Sequence, residues 1–234
     1  MILLAVDTSS AVLSVALKKN NEAILEQSVE GFPASAENLM PLIAGFLKKK
    51  RLRIEDVDAF LIDRGPGSFT GLRIGFATLK GFLAIDKKKC CGALSLDLIS
   101  ENAKTEKPWL AVALDARRGK IYFRLYRRRK ERWAPFQKPR TVAFEEMKKI
   151  LPEQTAILGD ALVKYRGLFE AEMQNKSLAC LPEKSWHPKA CTLISFFLNK
   201  DPRLVPLKTP KDFLPLYFRL SEAEERRKDY ARAH

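Results

Sequence analysis

The chain has 234 residues, 46% hydrophobic and 30% charged, with a formal net charge of +14 at pH 7. That length suits one large domain or two small ones, with apolar residues enough for a proper core. No apolar run reaches the roughly eighteen residues of a membrane span, and with only two histidines, His187 and His234, no histidine-rich metal site can be assembled.

The opening MILLAVDTSS lacks a basic leader, and Asp7 interrupts its apolar stretch, so it reads as a buried strand rather than a targeting signal. The cytoplasm is the expected location. Asp7 to Ser10 form a polar turn, Ala11 to Leu17 a second strand, and Glu22 to Ser28 a third, giving an antiparallel meander. Leu39, Leu42, Ile43 and Phe46 then recur at helical spacing over 35–50, with Ser35 as N-cap and three closing lysines that suit the helix dipole. Val57 to Ile62 is a strand. The loop GPGSFTG follows, and Gly71 to Ile85 forms a second helix with small residues along it.

Leu94 to Ala103 reads as a further helix, and the polar stretch ending in Pro108 marks a lobe boundary. The expected units are therefore 1–105, 106–220 and a charged tail, 221–234. In the second unit, Trp109 to Leu114 and Ala156 to Leu158 are strands, Ala190 to Leu198 a helix, and Leu216 to Leu220 a last strand. Lys120 to Tyr126 alternates strictly. Ile121, Phe123 and Leu125 share one face; Lys120, Tyr122, Arg124 and Tyr126 share the other, taken as solvent-facing. Both halves open with strands and continue with helices, so two similar α/β lobes are expected. Cys90, Cys91, Cys180 and Cys191 have no metal-knuckle spacing and read as reduced thiols.

The glycine loop fails the common phosphate and nucleophile motifs. A Walker A loop needs Lys where Leu72 stands, a dinucleotide fingerprint needs Gly where Thr70 stands, and a nucleophile elbow is blocked by Pro66 and Thr70. Ser68 also lacks a histidine partner. Two readings remain: backbone N–H groups facing an anion at a helix N-terminus, or Ser68 and Thr70 capping the helix while Gly65 and Gly67 permit the turn.

GPGSFTGLRIG with its preceding Asp63-Arg64, LAVDTSS with VLSVAL, ASAENLMPL, LDARRGKIY and PLYFR run in order through nearly the whole chain. Together they resemble the bacterial TsaB family of tRNA threonylcarbamoyladenosine biosynthesis proteins. The resemblance implies an actin-like ATPase fold (ASKHA, ribonuclease H-like) of two similar α/β lobes. It implies a non-catalytic platform that pairs with a TsaD-like catalytic subunit and a TsaE-like ATPase to act on the adenosine beside the anticodon of tRNA. It also implies that the chain can pair with itself. In that superfamily the first hairpin faces nucleotide phosphates, so Asp7, Thr8 and Ser9, with Gly67, Ser68 and Thr70, are the candidate phosphate residues. No cofactor is required; weak ATP or ADP with Mg²⁺ is allowed. The second lobe departs from a nucleotide site, since Asp115 is followed by Ala116, Arg117 and Arg118.

Leu39, Ile43, Phe46, Leu72, Phe76 and Leu79 are the candidate partner surface, because each helix is apolar over more than one stripe. Arg117, Arg118, Lys120, Tyr122, Arg124 and Arg127 are candidate tRNA contacts, cations interleaved with aromatics. The rival readings are a small ATPase or kinase of the same fold, a protease, and a plain RNA-binding protein.

Overall fold

The structure, a computed structural model, describes residues 1–31, 34–85, 88–209 and 211–216. The expected strand at 216–220 and the charged tail lie outside the described residues, apart from Leu216. In chain order the elements are β1 (Ile2–Asp7), β2 (Val12–Lys19), β3 (Leu25–Glu30), α1 (Ala34–Lys50), β4 (Ala59–Asp63), α2 (Phe69–Ile85), β5 (Lys89–Ala93) and α3 (Ser95–Ser100). There follow β6 (Trp109–Asp115), β7 (Lys120–Arg129), β8 (Arg132–Pro135), β9 (Arg140–Ala143), α4 (Phe144–Ile150), β10 (Thr155–Leu158), α5 (Ala161–Lys176), β11 (Ala179–Cys180), α6 (Ala190–Leu198) and β12 (Val205–Pro206).

These elements build two sheets of one design. In the first, β1 is central; β2 and β3 follow antiparallel on one side, and β4 and β5 lie parallel on the other. In the second, β6 is central, β7 is antiparallel to it, β8 and β9 pair with β7, and β10 and β11 run parallel. This repeated meander-plus-parallel order is the actin-like, ribonuclease H-like arrangement, which the sequence motifs implied. The run ILLAV is apolar on every residue because β1 is covered on both faces. Leu4 and Val6 face α1 and α2, whereas Leu3 and Ala5 pack with Leu193 and Ile194 of α6. Each such fully buried leucine, isoleucine or valine is worth about 1.5–3 kcal/mol of transfer free energy.

Several expectations need correction. The lobe boundary at residue 105 matches the change of sheet, but the chain does not stay in the second lobe to 220. α6 packs on the first sheet and β12 adds to β5 as its edge strand, so the chain crosses back after about residue 186. The apolar character of ACTLISFFL is satisfied against β1, β2 and β4 rather than against its sequence neighbours. Second, Leu39, Ile43, Phe46, Leu72, Phe76 and Leu79 are all buried within the first lobe itself. The wide apolar stripes of α1 and α2 face the sheet and each other, so these six present no surface to a partner. α1 also begins at Ala34, before the expected cap at Ser35.

α3 is the seam between lobes. Leu98 belongs to the first lobe's core, while Leu96 and Ile99 belong to the second's. The face of β7 taken as solvent-facing turns inward here. Tyr126 is fully buried and its hydroxyl donates to Asp97 Oδ1 at 2.7 Å. Arg124 donates through Nη1 to both Asp97 oxygens at 2.8 Å. The two-residue period of β7 is as expected, but α3 rather than water covers its second face. Among the described residues no helix is long and apolar enough to cross a membrane.

Removing a partner from a buried ion pair costs about 3–5 kcal/mol because the remaining charge stays desolvated. Asp97→Ala should therefore lower the unfolding free energy in urea by about 3 kcal/mol. Tyr126→Phe, which deletes one hydrogen bond and leaves the pair, should cost about 1 kcal/mol.

Candidate functional site

The turn after β1 holds Asp7, Thr8 and Ser9, all buried. Ser9 N–H donates to Asp7 Oδ1 at 2.8 Å, and Ser9 Oγ donates to Asp63 Oδ2 at 2.9 Å. Asp63, at the end of β4, also accepts from Gly65 N–H and from Ser95 Oγ, each at 2.7 Å, through its other oxygen. One carboxylate thus ties together the first hairpin, the glycine loop and the start of α3. The loop then lies directly on the hairpin backbone. Ser68 N–H donates to Ser9 O at 2.6 Å, and a Cβ at Gly67 would stand 2.1 Å from that oxygen. A Cβ at Gly71 would stand 2.0 Å from Thr8 O. Ser68 Oγ accepts from Gly71 N–H at 3.2 Å, capping α2. The two glycines are therefore fixed by close backbone approach, and the hydroxyls of Ser9 and Ser68 are engaged within the protein.

Burial pushes the Asp7 carboxyl well above the usual carboxylate range, and repulsion from Asp63 adds to this. Asp63 is also raised by burial, against which its donors from Ser95, Gly65 and Ser9 work. Asp7 Oδ2 is buried with no hydrogen-bond partner within the protein. Asp7 is therefore enclosed by protein and costly to ionise where it stands, an arrangement unlike an open carboxylate ligand for hydrated Mg²⁺.

Above this clamp, the lobes enclose a cleft of ≈ 790 Å³. Ser9, Gly67, Ser68 and Thr70 line it from the first lobe; Arg117, Arg118, Tyr122 and Asp160 line it from the second. Asp7 and Thr8 lie beneath it and are not among its lining residues. Asp115 N–H donates to Asp160 Oδ1 at 2.8 Å, and Asp115 Oδ1 accepts from Arg117 N–H at 2.9 Å. Arg117 and Arg118 adopt φ of 63° and 48°, the left-handed region, which costs non-glycine residues about 1–3 kcal/mol each. That turn sets both arginines at the cleft, opposite the glycine loop.

The six basic-strand candidates are therefore not one patch. Arg117, Arg118 and Tyr122 line the cleft, and Lys120 is exposed beside the turn. Arg124 is locked to Asp97 in the seam, and Arg127 lies at the far end of β7 with its guanidinium 5.4 Å from the Trp109 ring centre. Sequence reasoning assigned no role to Asp63 or Asp97. For Asp63 the available signal was a carboxylate ending an apolar strand just before a glycine loop.

The profile of the TsaD family, tRNA N6-adenosine threonylcarbamoyltransferase, matches residues 32–180. The chain belongs to this family. Within it, the chain is 26% identical over 227 residues to the tRNA threonylcarbamoyladenosine biosynthesis protein TsaB of Bacillus subtilis, covering 96% of each protein. It is 30% identical over 131 residues to TsaB of Escherichia coli, 55% of this chain and 56% of that one. Two structures from Pseudomonas aeruginosa share the fold. YeaZ superposes with a TM-score of 0.73 at 24% identity, covering 92% of this chain and 100% of that one. A protein described as similar to peptidase YeaZ superposes with a TM-score of 0.76 at 23% identity, covering 93% and 99%. The chain is thus a TsaB-like member of the TsaD family.

Gly67→Ala should destabilise by about 2 kcal/mol or more, because two backbone segments would have to separate to admit the methyl group. Asp7 also sets a pH dependence. Below about pH 4 it is protonated folded and unfolded alike. As pH rises further the unfolded chain ionises more readily than the folded chain, whose carboxyl is raised, so stability falls with pH. Asp7→Asn should flatten that decline in urea titrations as pH is raised above about 4.

Proposed function

We propose that the chain is a non-catalytic subunit that pairs with a TsaD-like catalytic subunit for threonylcarbamoyl transfer to the adenosine beside the anticodon of tRNA. The observation carrying this reading is the clamp. In the one place where an actin-like hairpin would face nucleotide phosphates and a metal, Asp7 is buried and the glycine loop lies directly on the hairpin backbone. Likeness to TsaB over nearly the whole chain supports the same assignment. The rim of the cleft suits a nucleotide phosphate, held by Thr70 and the loop on one wall and by Arg117 and Arg118 on the other, with no metal on Asp7. ATP or ADP would occupy that space as a ligand that orders the lobes. A TsaE-like ATPase completes the assembly.

The partner surface is the outer side of α1 and α2, not their buried stripes. Met40, Ala44, Gly45, Ala77, Gly81 and Ala84 are exposed there. A Cβ built at Gly45 or Gly81 meets nothing within 4 Å, so the face is flat and open to close helix approach. The same face suits a second copy of the chain, which would compete with the catalytic subunit.

The deciding assay is threonylcarbamoyl transfer to unmodified tRNA by TsaD-like and TsaE-like partners from the same organism, with and without this protein. Transfer should require it. Ala77→Glu, on an exposed helical position, should keep the melting temperature within about 3 °C and abolish both co-elution with the TsaD-like subunit and transfer. Transfer that proceeds equally without the protein would overturn the reading.

A further inference from the structure

The far end of β7 carries a surface that neither the cleft nor the partner face uses. Cross-strand pairing sets Trp109 opposite Arg127, Arg127 opposite Ala134, and Arg129 opposite Arg132. Directly opposed residues point to the same face of a sheet, so Trp109, Arg127, Arg129 and Arg132 share one side. Phe136 joins them: its ring meets Trp109 edge-on at 4.9 Å between centroids, and it is 57% exposed. Arg127 lies over the other aromatic, 5.4 Å from the Trp109 ring centre. The result is an exposed Phe136 resting on the half-buried Trp109 and edged by three exposed arginines, with Lys130 at the hairpin tip.

The arrangement opposes the stability of the hairpin. Arg129 and Arg132 are like charges directly across the strands, which is destabilising. Among the described residues neither forms an ion pair. The acids nearby do not compensate. Glu131 lies exposed in the turn, and Asp201, which acts on Arg132, has both oxygens bonded to Arg203 at 2.9 and 2.7 Å. Glu106 pairs with Arg128, on the opposite face. A cluster of cations around the exposed ring of Phe136, which is backed by the half-buried Trp109, in a chain of net charge +14, matches the chemistry of single-stranded nucleic acid: phosphates for the guanidinium groups and an unstacked base for the ring of Phe136.

We propose that this surface binds RNA directly, taking the phosphate backbone on Arg127, Arg129 and Arg132 and stacking one unpaired base on Phe136. This places the RNA contact at the tip of the β7–β8 hairpin rather than along Arg117 to Arg124. The identity of the RNA as tRNA rests on the proposed function; the binding chemistry does not.

The test is fluorescence anisotropy with a labelled single-stranded RNA, an RNA duplex of equal length and an unmodified tRNA transcript, each over a range of salt. The protein should prefer the single strand to the duplex. Arg129→Glu/Arg132→Glu should weaken binding by at least about ten-fold and reduce the slope of log affinity against log salt by about two. Phe136→Ala should weaken single-strand binding by about five-fold or more and erase the preference over duplex. Lys184→Glu/Lys208→Glu, an equal charge change at exposed sites elsewhere, should cost less than about three-fold. Melting curves establish that each variant is folded. Equal losses in the patch and control variants, binding insensitive to salt, or no RNA binding by folded wild-type protein would overturn the proposal. So would patch-dependent capture by anionic lipid vesicles with RNA binding unaffected by the patch. Failure here with transfer still dependent on the protein would leave the subunit reading standing. Patch-dependent RNA binding by a protein dispensable for transfer would sink that reading and leave this one.

Discussion

Asp63 is the constraint on which the arrangement of the first lobe depends. Its two oxygens accept from Ser9, Gly65 and Ser95, so a single buried carboxylate fixes the hairpin after β1, the glycine loop and the N-terminus of α3 relative to one another. Burying such a group without partners would cost several kcal/mol; its donors make it tolerable, and they make the three segments interdependent. Asp7 is drawn into the same enclosure, where burial and the neighbouring Asp63 raise its carboxyl well above the usual range. The glycine loop is short of side chains because it must lie on the carbonyls of Thr8 and Ser9. In this protein the loop holds its own hairpin and the start of α2.

The consequence runs outward through α3. Ser95 begins that helix on Asp63, and two residues later Asp97 receives Arg124 and Tyr126 from the second lobe. Asn102 donates to the carbonyl oxygens of Ser185 and His187, and Arg203 bridges Glu101 and Asp201. The lobes of an actin-like fold are thus joined by polar contacts, the Asp97 cluster buried among them, centred on one short helix. With the hairpin closed, what the molecule offers to others is surface: an open helical face on α1 and α2, a cleft with arginines on one wall, and a cationic, aromatic hairpin tip.

Much of the fold was legible because its strongest signals are local. The meander, α1, α2, β6, β7 and α6 follow from uninterrupted apolar runs and clear periods. β5 was missed because KCCGA is short and carries neither β-branched residues nor alternation. α5 was missed because Val163 and Leu168 are exposed and blur the stripe made by Leu162, Tyr165 and Phe169. The return of the chain to the first lobe was not legible, since the apolar face of α6 does not name the sheet it covers. At the site, sequence located the hairpin and the loop but not their contact. A period-2 pattern gives the parity of Arg124 and Tyr126; only the position of α3 shows that their face is buried. Phe136 was passed over because its meaning comes from Trp109, a neighbour only in three dimensions.

The claim that the hairpin after β1 is closed is tested most directly by calorimetric titration of ADP into the isolated chain and Asp7→Asn, with and without Mg²⁺. Closure of Asp7 beneath the loop predicts affinities that Mg²⁺ leaves unchanged and that the substitution leaves within about two-fold. Binding strengthened ten-fold or more by Mg²⁺, and lost in Asp7→Asn, would mean that Asp7 opens to hold the metal and would contradict the account.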